Sequence, residues 1–392
     1  MGAVFLVAFV GTIFAFQPLS TDLYLPSVPG MATELNLSVV AAQGTFLAYL
    51  LGFALGQLPS GALADRLGRR PVMLAGAAAY ALSGLGAAMA GSAVVLLAAR
   101  GVLGLSVAAM TVAGRAAIRD GFEPEAGEQA LAKCFAGMGI SAVLAGALGG
   151  QVAQFMDWRS VQGLLALSGA LLFAWTWWSF RPTPVPVVST ATAHEPSALG
   201  LILRHPGFWL STLVASASYA EAASFVNGAS LVLPALHGVS PAGLGWTLTI
   251  CSSCFLLSTL GSQAVLRRWG GRVAMQLSAV IGLVAASLFT WSFTLQGEAA
   301  HRCLLAAQMT FMLAHAPNQV CGQASAVAPF PAHAGLAAAW SGTIMICFVV
   351  LWGQGQALWL SHGLANFPLS LVALTLMSAG LAWRQSRNEA AH

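Results

Sequence analysis

Residues 40 to 63 pass without a single charged side chain, and similar stretches, rich in Ala, Leu and Gly, recur along nearly the whole chain. A backbone crossing apolar surroundings must satisfy its own amides and carbonyls, so such runs are either helices or the strands of a closed barrel. Barrel strands alternate apolar and polar residues over roughly ten positions, and these runs do not alternate. Each predicts a membrane helix. A bilayer core about 30 Å thick takes roughly 20 residues per helix, so 392 residues leave room for about twelve. Composition agrees, with 58% of residues hydrophobic and 7% charged, against roughly a quarter charged in a soluble domain.

Bounding the apolar runs by charges, Pro and Gly predicts spans near 3–28, 40–63, 71–90, 93–117, 131–155 and 160–180, then near 207–235, 242–266, 272–295, 302–325, 334–359 and 364–383. The expected organisation is a six-helix bundle over 1–180, a linker over 181–206, and a second six-helix bundle over 207–392 that ends in a short tail. The linker is expected to be extended, since it carries Pro182, Pro184 and Pro186 in a polar run. Of the 16 Lys and Arg residues, twelve fall on the side that holds the termini and linker. Arg159 and Arg302 fall opposite, and Arg100 and Arg115 lie inside the fourth span. This bias predicts cytoplasmic termini and a cytoplasmic linker. The net charge of +4 thereby reads as an orientation signal, and nucleic-acid binding is not expected. The opening run from Gly2 to Phe16 lacks a basic leader and continues through Asp22, so it reads as a span and not as a signal peptide.

The six cysteines fall inside predicted spans and read as small buried apolar residues. Cys251 and Cys254 have CxxC spacing, but no second pair or His cluster accompanies them. No metal or cofactor is expected.

Two loops echo each other. Asp65, Arg66, Leu67, Gly68, Arg69 and Arg70 follow the second span, and Arg267, Arg268, Trp269, Gly270, Gly271 and Arg272 follow the eighth. A basic, Gly-containing turn at the same place in each half is what internal duplication of a transporter produces.

The stretch Gly61-Ala-Leu-Ala-Asp65-Arg66-Leu-Gly68-Arg69-Arg70-Pro71 resembles the signature loop of the major facilitator superfamily, GxLaDrxGrr, and sits between spans 2 and 3 as that motif requires. Asp22-Leu-Tyr24-Leu-Pro26-Ser-Val-Pro29 resembles the DxYLPxxP motif of the Bcr/CflA group of drug:proton antiporters with twelve spans. Arg100-Gly-Val-Leu103-Gly104 resembles the superfamily's RxxqG motif, with Leu103 in place of Gln. Ala145-Gly146-Ala-Leu-Gly149-Gly150 resembles the antiporter motif GPxxGG, with Ala145 and Gly146 where Gly and Pro are usual. The resemblance implies an all-α integral membrane protein, twelve helices in two six-helix halves. It further implies proton-driven export of drugs and similar compounds by alternating access across a bacterial inner membrane. Gly61, Asp65, Arg66, Gly68, Arg69 and Arg70 would serve as a conformational latch, and Gly146, Gly149 and Gly150 as the antiporter helix motif. The expected partners are a small-molecule substrate, protons as the coupling ion and the bilayer, with the chain acting as a monomer.

Ionisable groups inside spans are costly and so mark functional positions. Asp22 and Arg100 each lie about seven residues from the outer ends of their predicted spans, hence at similar depth, where they could meet. Glu221, with Tyr219 and Asn227 nearby, falls mid-span in span 7, and His315, with Asn318 nearby, falls mid-span in span 10. These four are the candidate proton-coupling residues. Gln17, Tyr24, Tyr49, Phe225 and Trp340 are candidate substrate-lining residues, chosen because a multispecific cavity combines aromatic and small polar groups. Export of one metabolite, such as an amino acid or nucleoside, is the alternative. A membrane enzyme is disfavoured because no metal cluster, Ser/His/Asp set or phosphate loop appears, and a sensor because no signalling domain does.

Overall fold

The computed structural model describes residues 2–180 and 196–388. The first helices are α1 (Ala3–Asp22), α2 (Val28–Glu34), α3 (Val39–Leu67) and α4 (Arg69–Ala88), followed by α5 (Ala93–Gly121), α6 (Pro124–Phe155) and α7 (Trp158–Ser179). The chain continues with α8 (Pro196–Arg204), α9 (Pro206–His237), α10 (Pro241–Thr294), α11 (Gly297–Val327), α12 (Ala334–Ser361) and α13 (Phe367–Asn388). Among the described residues there is no strand.

Local chemistry sets the helix ends. The hydroxyls of Ser38 and Ser92 accept from the amides of Ala41 and Val95 and so cap α3 and α5. Proline opens α6 and α9, where its missing N–H costs nothing. Gly238 closes α9 in the left-handed conformation, φ 62°. The predicted first span runs unbroken to residue 28, whereas α1 stops at Asp22. Pro26 and Pro29 lack amide donors, and a 3-10 turn over Leu25–Ser27 leads into the short α2.

Nine helical segments among the described residues are long and apolar enough to cross a bilayer. One of these, α10, has 54 residues, about 81 Å at 1.5 Å per residue and far more than one crossing needs. It breaks at Gly270, φ 76° and ψ 175°, and so makes two passes. The segment α9 meets α8 at a 70° bend. In α11 apolarity is diluted by Gln308, His315 and Asn318, all buried against protein. With these, the described residues make twelve passes. The single residue Gly68, φ 91° and ψ 163°, likewise connects α3 to α4, so the echoed loops share one backbone solution that an L side chain resists.

Two compact units divide the chain, Met1–Ser189 with Ser240–Thr249, and Thr190–Val239 with Ile250–His392. The predicted linker falls largely outside the described residues. Its described part, from residue 196, is the helix α8 and not extended chain, with Ile202 buried against Phe208, Ala326, Phe330 and Ala337.

Candidate functional site

In the first unit, α3 and α5 touch backbone to backbone. A Cβ on Gly104 would lie 2.0 Å from the carbonyl oxygen of Tyr49. This approach brings Arg100, fully buried, to the main chain of its neighbours. Its Nη2 donates to the Ser20 carbonyl at 2.8 Å and its Nε to the Thr45 carbonyl at 3.4 Å. The guanidinium carbon lies 3.7 Å from the Tyr24 ring centroid and 5.3 Å from that of Tyr49. The Tyr24 hydroxyl meets the Thr45 hydroxyl at 3.2 Å. Two carbonyls and two ring faces offset a desolvation cost of several kcal/mol, a desolvated cation–π contact contributing about 2 kcal/mol.

Asp22 closes α1 two residues beyond Ser20, so it stands near the level of Arg100. No ion pair joins them among the described residues. The Asp22 carboxylate instead accepts from the Thr21 hydroxyl at 2.9 Å, and it is the ring of Tyr24, two residues on, that lies against the Arg100 guanidinium. Between them, Leu23 rests on α6, where a Cβ on Gly149 would lie 2.2 Å from the Leu23 carbonyl oxygen. Gly146 and Gly150 turn to the first turns of α10, with the α carbon of Gly245 2.8 Å from a Cβ built on Gly150. Gly149 therefore meets the Asp22 turn on one side, and Gly146 and Gly150 meet the start of α10 on the other.

The signature loop forms an ion-pair relay. Arg69, buried, donates to Asp65 at 2.6 Å and to Asp120 at 2.8 Å. Arg70 donates to the Trp177 carbonyl at 2.7 Å and lies over the Trp177 ring. Arg66 is exposed and forms no ion pair among the described residues, and Gly61 makes only ordinary contact with Val112. Asp120 was not singled out from sequence. Its one signal there is its place at the end of the fourth span, on the side of the loop. The second loop contains no carboxylate, and its Arg268 lies over Trp269.

In the second unit, Glu221 and His315 lie on the same interface, between α9 and α11. Glu221 is fully buried, and one carboxylate oxygen accepts from Gln308 at 3.5 Å. The Ser218 hydroxyl meets His315 Nδ1 at 2.8 Å, and Tyr219, Phe255 and Phe311 surround the imidazole. Asn318 binds Ser278 of α10 and Ser378 of α13, at 2.6 and 3.0 Å. Pro317 cannot donate to the Leu313 carbonyl, and the Ser258 hydroxyl supplies that bond at 2.8 Å.

Three of the five expected lining residues are enclosed. Tyr24, Tyr49 and Phe225 have no accessible surface. The two tyrosines enclose Arg100, and Phe225 packs on Phe367 of α13 at 5.9 Å between centroids. Trp340 packs against the cluster under α8. Gln17 is part-buried, and its carbonyl accepts from the Tyr49 hydroxyl at 3.5 Å. Aromatic rings near a buried cation or a helix crossing fill volume there, which residue type alone does not separate from a cavity wall.

Twelve passes, buried charges inside them and a basic turn repeated in each half are features that a membrane transporter shows. The major facilitator superfamily model matches residues 8–353. The chain belongs to the major facilitator superfamily. It is 29% identical over 265 residues to a chloramphenicol resistance protein of Pseudomonas aeruginosa, covering 66% of this chain and 61% of that protein's length. It is 25% identical over 367 residues to the multidrug resistance protein MdtL of Shewanella oneidensis, covering 93% and 89%. Among solved structures it shares the fold of a D-xylose–proton symporter, with a TM-score of 0.78, 16% identity and 98% of each chain covered. A bacterial homologue of the lysosomal transporter Spinster gives a TM-score of 0.76 at 16% identity, covering 98% of this chain and 97% of that one.

Proposed function

We propose that this protein exports small organic molecules, antimicrobials among them, in exchange for protons by alternating access in a bacterial inner membrane, with both termini in the cytoplasm. It works as a monomer with the proton as its coupling ion and no further cofactor. The observation that carries this is the position of Asp22. It is a carboxylate within a span, bonded to one hydroxyl and free of any ion pair among the described residues. Its turn sits between the antiporter glycine Gly149 and the Tyr24–Arg100 stack. A carboxylate so placed takes up and gives off a proton as its turn moves, and Gly149 and Tyr24 are the contacts through which movement reaches it. Glu221, buried with one amide donor, is the second proton-binding group, and His315 the third. The signature loop holds one state until the Arg69 relay opens. The resistance proteins the chain resembles support the substrate class.

The test is substrate-induced proton movement in proteoliposomes, for wild type and Asp22→Asn, over a panel of antimicrobials. Loss of proton movement in the variant with substrate binding retained is the expected result. Normal coupling in Asp22→Asn would overturn the assignment of Asp22, and absence of proton movement in the wild type would overturn antiport.

A further inference from the structure

Arg115 takes no part in the coupling just described. Its guanidinium carbon lies 5.6 Å from the centroids of both the Phe14 and Phe135 rings, which pack edge to face at 5.1 Å. Phe14 is buried, whereas Phe135 is 42% exposed and Arg115 is also exposed. Arg115 has no hydrogen bond or ion pair among the described residues.

The direction of the side chain is informative. α5 runs antiparallel to α1, since Gly121 meets Leu6, Gly114 meets Val10 and Arg100 reaches Ser20. Arg115 is six residues from Gly121, about 9 Å from that end of α5. The rings it meets are eleven residues into α1 and α6, about 16 Å along those helices. Side chains tilt toward the start of their own helix, so Arg115 points deeper and away from the nearer surface. A cation exposed to hydrocarbon is costly, so an open face turned to water or to a ligand is the lower-cost arrangement. Among the described residues no acid forms an ion pair with it. Asp120 is held by Arg69, Glu128 lies two turns before Phe135, about 10 Å, and Asp22 lies about 12 Å beyond Phe14 and is bonded to Thr21. Arg119 and Lys133 repeat its sign.

We propose that Arg115, with Phe14 and Phe135, is an anion-recognition point on the transport path, and that the substrates are aromatic molecules bearing a carboxylate or a similar anionic group. The guanidinium fork takes two carboxylate oxygens, the exposed Phe135 ring supplies the apolar surface, and the unpaired cation disfavours cationic compounds. This rests on the export reading above and narrows its substrate class.

The test uses 2-naphthoate and neutral 2-naphthamide, which differ in the anionic group. Equilibrium dialysis with protein in lipid-free detergent, checked for monodispersity, measures binding, and everted vesicles measure export. Wild type is expected to prefer the acid by about tenfold, the equivalent of 1.4 kcal/mol. Arg115→Gln is expected to lose that preference with naphthamide binding unchanged, and Arg115→Lys to keep part of it. Equal binding of the two probes by wild type, or an unchanged ratio in Arg115→Gln, overturns the anion point whether or not export is seen. Acid preference without export of either probe or of antimicrobials keeps the anion point and overturns the export reading. Loss of the preference when phosphatidylglycerol is added to wild type reassigns Arg115 to a lipid headgroup and overturns the proposal.

Discussion

Arg69 and Asp120 lie 51 positions apart in the chain and meet at 2.8 Å, Nε to Oδ2. The contact ties the start of α4 to the end of α5, and the same guanidinium also holds Asp65 of α3 across the Gly68 turn. Asp65 is half exposed and Asp120 about a third exposed, so solvent screens the first pair more. Asp120→Asn is expected to destabilise the protein by about 1–2 kcal/mol and Asp65→Asn by less than about 1 kcal/mol. Thermal unfolding in detergent checks this, and a double-mutant cycle with Arg69→Gln should show coupling to both acids. Equal effects of the two variants would count against unequal screening.

Gly149 has no room for a side chain where it meets Leu23, whereas a Cβ on Gly86 in α4 meets nothing within 4 Å. Gly149→Ala is expected to displace the Asp22 turn, lower stability by about 1–3 kcal/mol as overpacking does, and reduce proton movement per substrate. Gly86→Ala should leave both at wild-type values. Melting temperatures and proteoliposome flux for the pair settle it, and tolerance of Gly149→Ala would mean that α6 can shift freely from the Leu23 turn.

The loop residue Asp157 caps α7. The Ser160 hydroxyl and backbone amide both donate to it, and these bonds hold its carboxyl below the ordinary value of 3.8. A depressed carboxyl stabilises the fold fully above that ordinary value, and the contribution fades as pH falls through the lower folded value. The difference in melting temperature between wild type and Asp157→Ala should therefore be present at pH 6 and shrink toward pH 3. A difference that grows on acidification would contradict the cap.

Much of the architecture is readable from residue order because its causes are local. The spans follow from backbone satisfaction in lipid, and the turns at Gly68 and Gly270 from a positive φ that only glycine adopts freely. The Asp65–Arg69 pair follows from the one-residue turn at Gly68, which brings the start of α4 back beside the last turn of α3. Rise per residue likewise placed Asp22 and Arg100 near one level, and the Arg100 bond to the Ser20 carbonyl agrees.

What residue order leaves undetermined is which way each side chain turns and what it meets. Helical rise gives depth, but the direction around the axis depends on how the helices pack. For this reason the expected meeting of Asp22 with Arg100 became a stack on Tyr24, Tyr49 and Phe225 went into packing, and Asp120 emerged as a partner of Arg69. Sequence alone determined a membrane protein of twelve helices with glycine-hinged basic turns, because lipid and backbone geometry act on short segments. Tertiary packing decided that Asp22 forms no ion pair among the described residues while Arg100 is caged by Tyr24 and Tyr49, and that Arg115 lies against Phe14 and Phe135, because charges in a low-dielectric interior take whichever compensating groups the neighbouring helices bring within reach.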